Sequence, residues 1–205
     1  MAVSFAAYHA HLLRSLTVIC PGGIVRSTSQ LSFYDRLLYS SGLFPDYVLR
    51  WFMRRRLEPK QKAVDVPVEF DDIVLDGGKV RRGEIMKWQL ETNEGFVHSY
   101  LSTFQNAPIY DQHAGDWKTL SELLSKRRGP TDEASRPPGL SSGRALAILG
   151  EKDVYIDNEE WIADAVAVLG EDGVDVHVLE GGHEIAIADG TEVAQLAMMS
   201  WTNQR

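Results

Sequence analysis

Two residues in the C-terminal quarter of the chain have the types and settings for acid–base chemistry: Asp153 in LAILGEKDVYID and His183 in VHVLEGGHEI. Each follows a short apolar run that ends near glycine, residues 144–149 (RALAIL) before the aspartate and 174–179 (VDVHVL) before the histidine. A carboxylate that accepts the Nδ1 proton of an imidazole fixes its tautomer and stabilises the imidazolium, which leaves Nε2 free to deprotonate a hydroxyl nucleophile. In an open α/β sheet such groups gather at the carboxyl ends of the strands, so side chains leaving two strands at that end can meet. Asp157 and Glu151 are the alternative acids, each off the strand-end position, and Glu184 reads as a solvated or structural neighbour of the histidine.

The elements that must position this pair are legible as patterns. A third apolar run, residues 16–20 (LTVIC), leads into Pro21-Gly22-Gly23. Short strands that end at glycine and feed helical patterns predict β-α units with a parallel sheet covered on both faces. Residues 158–169 supply one covering helix, with Trp161, Ile162, Ala165, Val166 and Leu169 at helical spacing and Asn158 as the expected N-cap. Residues 191–201 supply another, and residues 1–13 begin the chain as an apolar helix.

More than 120 residues separate the first strand from the second, far more than an ordinary crossover needs. They read as an aromatic-rich helical stretch over 30–57, a polar connection, a second helical region over 83–104, a helix over 116–126, and a Pro/Gly/Ser-rich surface linker over 128–143. The expected organisation is therefore a helix and strand in residues 1–29, an inserted helical cap in 30–105, a helix and linker in 106–143, and a final core segment in 144–205. Cap aromatics Phe33, Tyr34, Trp51 and Phe52, with His113 and Trp117 from the segment after it, are candidate pocket residues. Arg54, Arg55 and Arg56 read as a solvated helix end that complements the dipole.

Composition narrows the function classes. With 44% hydrophobic and 24% charged residues the 205-residue chain is in the globular range. A net charge of -8 disfavours nucleic acid or an anionic membrane as a general partner. Cys20 is the single cysteine, so no intrachain disulfide forms, and a cytoplasmic location is expected. The N-terminal apolar stretch lacks the positive charges of a signal peptide and is interrupted by Tyr8, His9 and His11. No run approaches the roughly 20 apolar residues of a membrane span. His9 and His11 on a helix diverge and are expected to bind no metal, and Asp111 with His113 is expected to be a structural hydrogen-bonding cluster.

Taken together, the helix AVSFAAYHAHLLRSL running into LTVICPGG, the inserted segment, LAILGEKD and VLEGGHEI resemble the C-terminal part of a serine-type, capped α/β-hydrolase. The resemblance implies an α/β fold of three parallel strands with flanking helices and an inserted cap, without metal or organic cofactor. It implies hydrolysis of a small apolar ester or related acyl compound through an acyl-serine, with His183 as general base and then acid and Asp153 orienting it. Carbon–carbon bond, epoxide and halide hydrolysis occur on the same scaffold.

In the register of that family the first helix directly follows the nucleophile elbow, so the serine is expected a few residues before Met1. The 205 residues are read as free of any G-x-S-x-G, and no serine is read as following a predicted strand in a glycine-flanked turn. The chain is accordingly expected to be inactive by itself, the product of a reading frame that starts at an internal methionine. The apolar strand at 16–20 is expected to expose an open edge and to lower solubility. The alternative is a non-catalytic binding protein derived from a hydrolase.

Overall fold

A computed structural model describes residues 1–30, 44–59, 73–75, 77–129 and 132–202. In chain order the main elements are helix α1 (Ala2–His9), strand β1 (Thr17–Ile19), helix α2 (Asp46–Leu57), strands β2 (Ile73–Leu75) and β3 (Gly78–Val80), and helices α3 (Arg82–Thr92) and α4 (Phe96–Asn106). Helix α5 (Asp116–Arg128), strand β4 (Ala145–Gly150), helix α6 (Asn158–Leu169), strand β5 (Val174–Leu179) and helix α7 (Gly190–Thr202) follow. The chain divides into two compact units, one of residues Met1–Ser27 with Pro108–Arg205, the other of Thr28–Ala107.

The first unit is an α/β structure around a three-stranded parallel sheet in the order β1-β4-β5. Its centre, β4, is buried at all six positions, which is why ALAILG is an unbroken apolar run: a central parallel strand has no solvent face on which to alternate. The outer strands are less covered. Val178 of β5 is 45% exposed and Ile19 of β1 is 36% exposed. Hydrogen bonds from the Leu146 amide to the Leu16 carbonyl and from the Cys20 amide to the Ile148 carbonyl, both 2.9 Å, carry the β1–β4 ladder across the full 16–20 run.

Trp117, Leu120 and Leu124 of α5, Trp161, Ala165 and Leu169 of α6, and Val3, Ala6 and Ala7 of α1 join the strands in one core. Removing each large side chain of this kind from water is worth about 1.5–3 kcal/mol.

Helix α6 begins where expected, but its N-cap is Asp157, whose carboxylate accepts the Glu160 amide at 3.0 Å. Such a cap contributes about 1 kcal/mol, and it accounts for Asp157 as a structural residue. Asn158, the expected cap, instead donates from Nδ2 to the Gly150 carbonyl at 2.8 Å and ties the start of α6 to the end of β4. The segment before β4 is not all surface as expected. Leu140 is fully buried, its amide bonded to the Leu13 carbonyl, and Arg128 hydrogen-bonds to the Gly143 carbonyl.

The second unit has its own small core. Leu49, Met53 and Leu57, four apart on α2, meet Leu90 of α3 and Val97 and Leu101 of α4. The expected polar connection contains a hairpin, with β2 and β3 antiparallel and Leu75 opposite Gly78. The helix expected over 83–104 breaks at Asn93–Gly95, where neither Asn nor Gly favours continuation. Arg54 donates to the Leu90 carbonyl at 2.7 Å and Arg55 lies over the Trp51 ring. Of the aromatic stretch expected as helix, Asp46–Leu57 is helical, and residues 31–43, including Phe33 and Tyr34, lie outside the described residues. No helix among the described residues is long and apolar enough to cross a membrane.

Candidate acid–base site

The carboxyl ends of β4 and β5 continue as paired loops. The Glu151 amide donates to the Leu179 carbonyl and the Lys152 amide to the Gly181 carbonyl, both at 2.8 Å, and Lys152 forms a surface ion pair with Glu180 at 3.1 Å. This close pairing needs a glycine at the last position of β4. A Cβ on Gly150 would sit 2.4 Å from the Gly182 carbonyl oxygen and 2.8 Å from that of Gly181.

Asp153 and His183 leave these two loops and meet. Nδ1 of His183 is 2.9 Å from Oδ2 of Asp153. The other carboxylate oxygen accepts the amides of Tyr155 at 2.8 Å and Ile156 at 3.2 Å. Only 1% of the Asp153 side chain is exposed, against 38% for His183. The pair therefore presents a buried acid and an imidazole that reaches solvent. The Tyr155 ring stands edge-on to the imidazole at 4.9 Å and limits its rotation.

The electrostatics follow from these contacts. Burial pushes the Asp153 carboxyl up, but the hydrogen bonds from His183 and Tyr155, the His183 charge and a hydrogen bond with Cys20 together hold it below the usual value. The Asp153 hydrogen bond raises His183 above the ordinary imidazole value; burial opposes this, and the charges of Asp153 and Glu184 reinforce it. A histidine with Nδ1 bonded to a carboxylate keeps Nε2 as the atom that can take a proton.

Cys20 is the functional-site neighbour that the sequence did not reveal. Its sulfur and the donor atoms of Asp153 and His183 lie within 4.8 Å of one another. Burial first, then the Asp153 charge, pushes its thiol up to about 12. An activated nucleophilic cysteine shows the opposite shift, so Cys20 is a neutral thiol beside the acid rather than a substitute nucleophile. Sulfur, nitrogen and carboxylate donors in such a cluster have the chemistry of a zinc site, but here the carboxylate and imidazole are already committed to each other.

One expectation about the elbow is corrected. Residues 139–143 (GLSSG) do match G-x-S-x-G, contrary to the reading of the sequence as free of that pattern. They precede β4 instead of following a strand, and the Ser141 amide is bonded to the Arg14 carbonyl ahead of β1. The six residues of β4, about 20 Å at the usual rise, run between Ser141 and the loop of Asp153. Ser141 therefore belongs to the opposite end of the sheet from the acid–base pair.

No family model matches this sequence, and no curated protein matches it.

The other candidate residues fall elsewhere. Trp117 is 3% exposed and stands edge-on to Trp161 in the core, so it is not a pocket wall. His113 approaches Asp164 with Nε2 at 3.4 Å, in a cluster where Arg26 clamps both Asp164 oxygens at 2.7 Å and also reaches Glu160. Arg26 and Asp164 are 138 positions apart in the chain, which left that cluster invisible in the sequence. Asp111 accepts the Ser27 amide at 3.2 Å. Trp51 and Phe52 are exposed on the second unit, edge-on to each other at 4.9 Å. Phe33 and Tyr34 lie outside the described residues. His9 and His11 stand edge-on with ring centroids 6.2 Å apart.

The two shifts set a pH dependence. His183 binds its proton more tightly folded than unfolded, so its stabilisation is complete below about 6.5 and is lost as pH rises through its folded value. Asp153 contributes above about 3.8 and loses its contribution as pH falls through its lower folded value. The stability difference between the wild type and His183→Gln is therefore expected to be largest at about pH 5 and to shrink towards pH 9. Urea unfolding at both pH values measures it, and a difference that grows with pH contradicts the assignment.

Proposed function

We propose that this chain carries the acid and the base of a serine-type α/β-hydrolase, acting on a small apolar ester or related acyl compound. The observation that carries the reading is the 2.9 Å bond between a carboxylate that is 1% exposed and an imidazole that is 38% exposed. It occurs at the carboxyl ends of adjacent parallel strands, where open α/β sheets place their chemistry. Acid before histidine is also the chain order of that family. In this reading the first unit is the C-terminal half of the hydrolase sheet, and Thr28–Ala107, inserted in the chain between β1 and β4, is the cap.

His183 takes the proton of a serine hydroxyl as the serine attacks the acyl carbon, then returns it to the leaving alcohol. Asp153 accepts the Nδ1–H hydrogen bond throughout and stabilises the imidazolium. Neither the serine nor the amides that stabilise the tetrahedral oxyanion are assigned within these residues, since Ser141 sits at the wrong end of β4. The reading therefore requires a strand–elbow–helix segment from outside them. A second reading, a binding protein that retains the acid–base pair without a nucleophile, is favoured by that same position of Ser141.

Reading the coding sequence immediately 5′ of the Met1 codon, followed by rapid-mixing kinetics on the protein extended to include any in-frame G-x-S-x-G, distinguishes the two. The hydrolase reading expects a stoichiometric burst of nitrophenolate from p-nitrophenyl butyrate, followed by slower turnover. An elbow-bearing protein that shows neither burst nor turnover, or a frame with no elbow, rejects hydrolysis in favour of binding.

A further inference from the structure

A buried carboxylate offers about four lone-pair sites that need donors. Three of those on Asp153 are occupied: Oδ1 accepts the Tyr155 and Ile156 amides, and Oδ2 faces the His183 ring nitrogen. With 1% of the side chain exposed, water has little access to the fourth, and an unmet site on a buried charge is costly. The group packed against it is Cys20. Its side chain is buried, and its sulfur is within 4.8 Å of the donor atoms of both Asp153 and His183.

The backbone is bent to put it there. Cys20 has φ of +42°, one of three non-glycine residues among those described with a positive φ, a left-handed conformation that costs a side-chain-bearing residue about 1–2 kcal/mol. Its amide still donates to the Ile148 carbonyl and completes the β1–β4 ladder, while the next residue is pinned by the indole of Trp161, which donates to the Pro21 carbonyl at 3.0 Å. The strained residue is thus held from both sides, as strain retained at functional sites usually is.

We propose that Cys20 is a positioning residue of the acid–base pair: its neutral S–H donates to the Asp153 carboxylate and, by drawing off part of that negative charge, moderates the basicity of His183. The proposal rests on the acid–base reading of the site. A thiol suits the task because it is a weak donor, so it fills the fourth position without competing with the imidazole for the carboxylate. Alanine at position 20 leaves the charge to fall more fully on His183, whereas serine donates more strongly than the thiol and withdraws more of it.

The test is NMR titration of the His183 ring in wild-type protein, Cys20→Ala, Cys20→Ser and Asp153→Asn. The expected result is a His183 pKa that rises in Cys20→Ala, falls in Cys20→Ser and falls furthest in Asp153→Asn. Opposite signs for alanine and serine are what a mere packing role does not produce. Shifts of the same sign, or none, in both Cys20 variants while Asp153→Asn still lowers the value overturn the role of Cys20 and leave the pair standing. An Asp153→Asn titration identical to wild type overturns the pair itself, and the proposal with it. Should a Cys20 variant not fold, the S–H stretching band of the single cysteine decides in the infrared: it is expected at lower frequency in native wild type than in Asp153→Asn, and an identical band in the two rejects the hydrogen bond.

Discussion

Gly150→Ala is expected to destabilise the protein by about 3 kcal/mol or more and to separate the acid from the base. The added Cβ would meet two carbonyl oxygens and a carbonyl carbon of Gly181 and Gly182, at 2.4 to 2.9 Å. All three are backbone atoms, so no rotamer change relieves the overlap; either β4 or the loop carrying His183 must move. Because the Asp153 and His183 loops are laced by the bonds 151–179 and 152–181, the displacement is transmitted to the 2.9 Å contact. A lowered urea midpoint together with a fall in the His183 pKa checks both parts. Gly190, where an added methyl would enter open space, is the control: alanine there is expected to change stability by no more than about 0.5 kcal/mol. A Gly150→Ala protein as stable as that control would show that the approach of the two loops is not tight.

In a protein with a complete nucleophile elbow, Asp153→Asn is expected to lower kcat by about 10⁴-fold, and His183→Ala by at least as much. The reason for the asparagine effect lies in the contacts. Oδ1 must still accept the Tyr155 and Ile156 amides, so the new amide NH₂ is turned towards Nδ1 of His183. The ring answers by holding its proton on Nε2, the atom required as base. Geometry survives and the tautomer is wrong, which predicts a loss in kcat with KM little changed. Steady-state kinetics on p-nitrophenyl butyrate measure it, and a variant that retains a tenth of wild-type turnover would move the acid to another residue.

The sequence made the pair legible because each partner ends a glycine-punctuated apolar strand, and strand ends of a parallel sheet converge. β5 and α6 are found with the bounds their patterns predict, and β4 is shifted by one residue. What the patterns miss has physical reasons. The β2–β3 hairpin is three residues a side, too short for periodicity, although Asp-Gly between its strands is the strongest short hairpin signal. The true cap Asp157 stands one position from the expected one, because Asp and Asn are equally good caps. Cys20 gives no signal, as a cysteine on a buried strand end is indistinguishable from core. The letters GLSSG match an elbow by composition, and only their place ahead of β4 shows that they are a turn instead.

The five tryptophans are unequally placed. Trp51, Trp88 and Trp201 face solvent, whereas Trp117 and Trp161 are 3% and 2% exposed and stand edge-on to each other. Since the Trp161 indole grips the carbonyl of the residue after Cys20, the wall behind the acid carries its own fluorophore. Iodide, which reaches only exposed indoles, darkens the other three and leaves an emission whose wavelength follows the polarity around this wall, so loosening behind the carboxylate becomes visible as light without labelling the molecule.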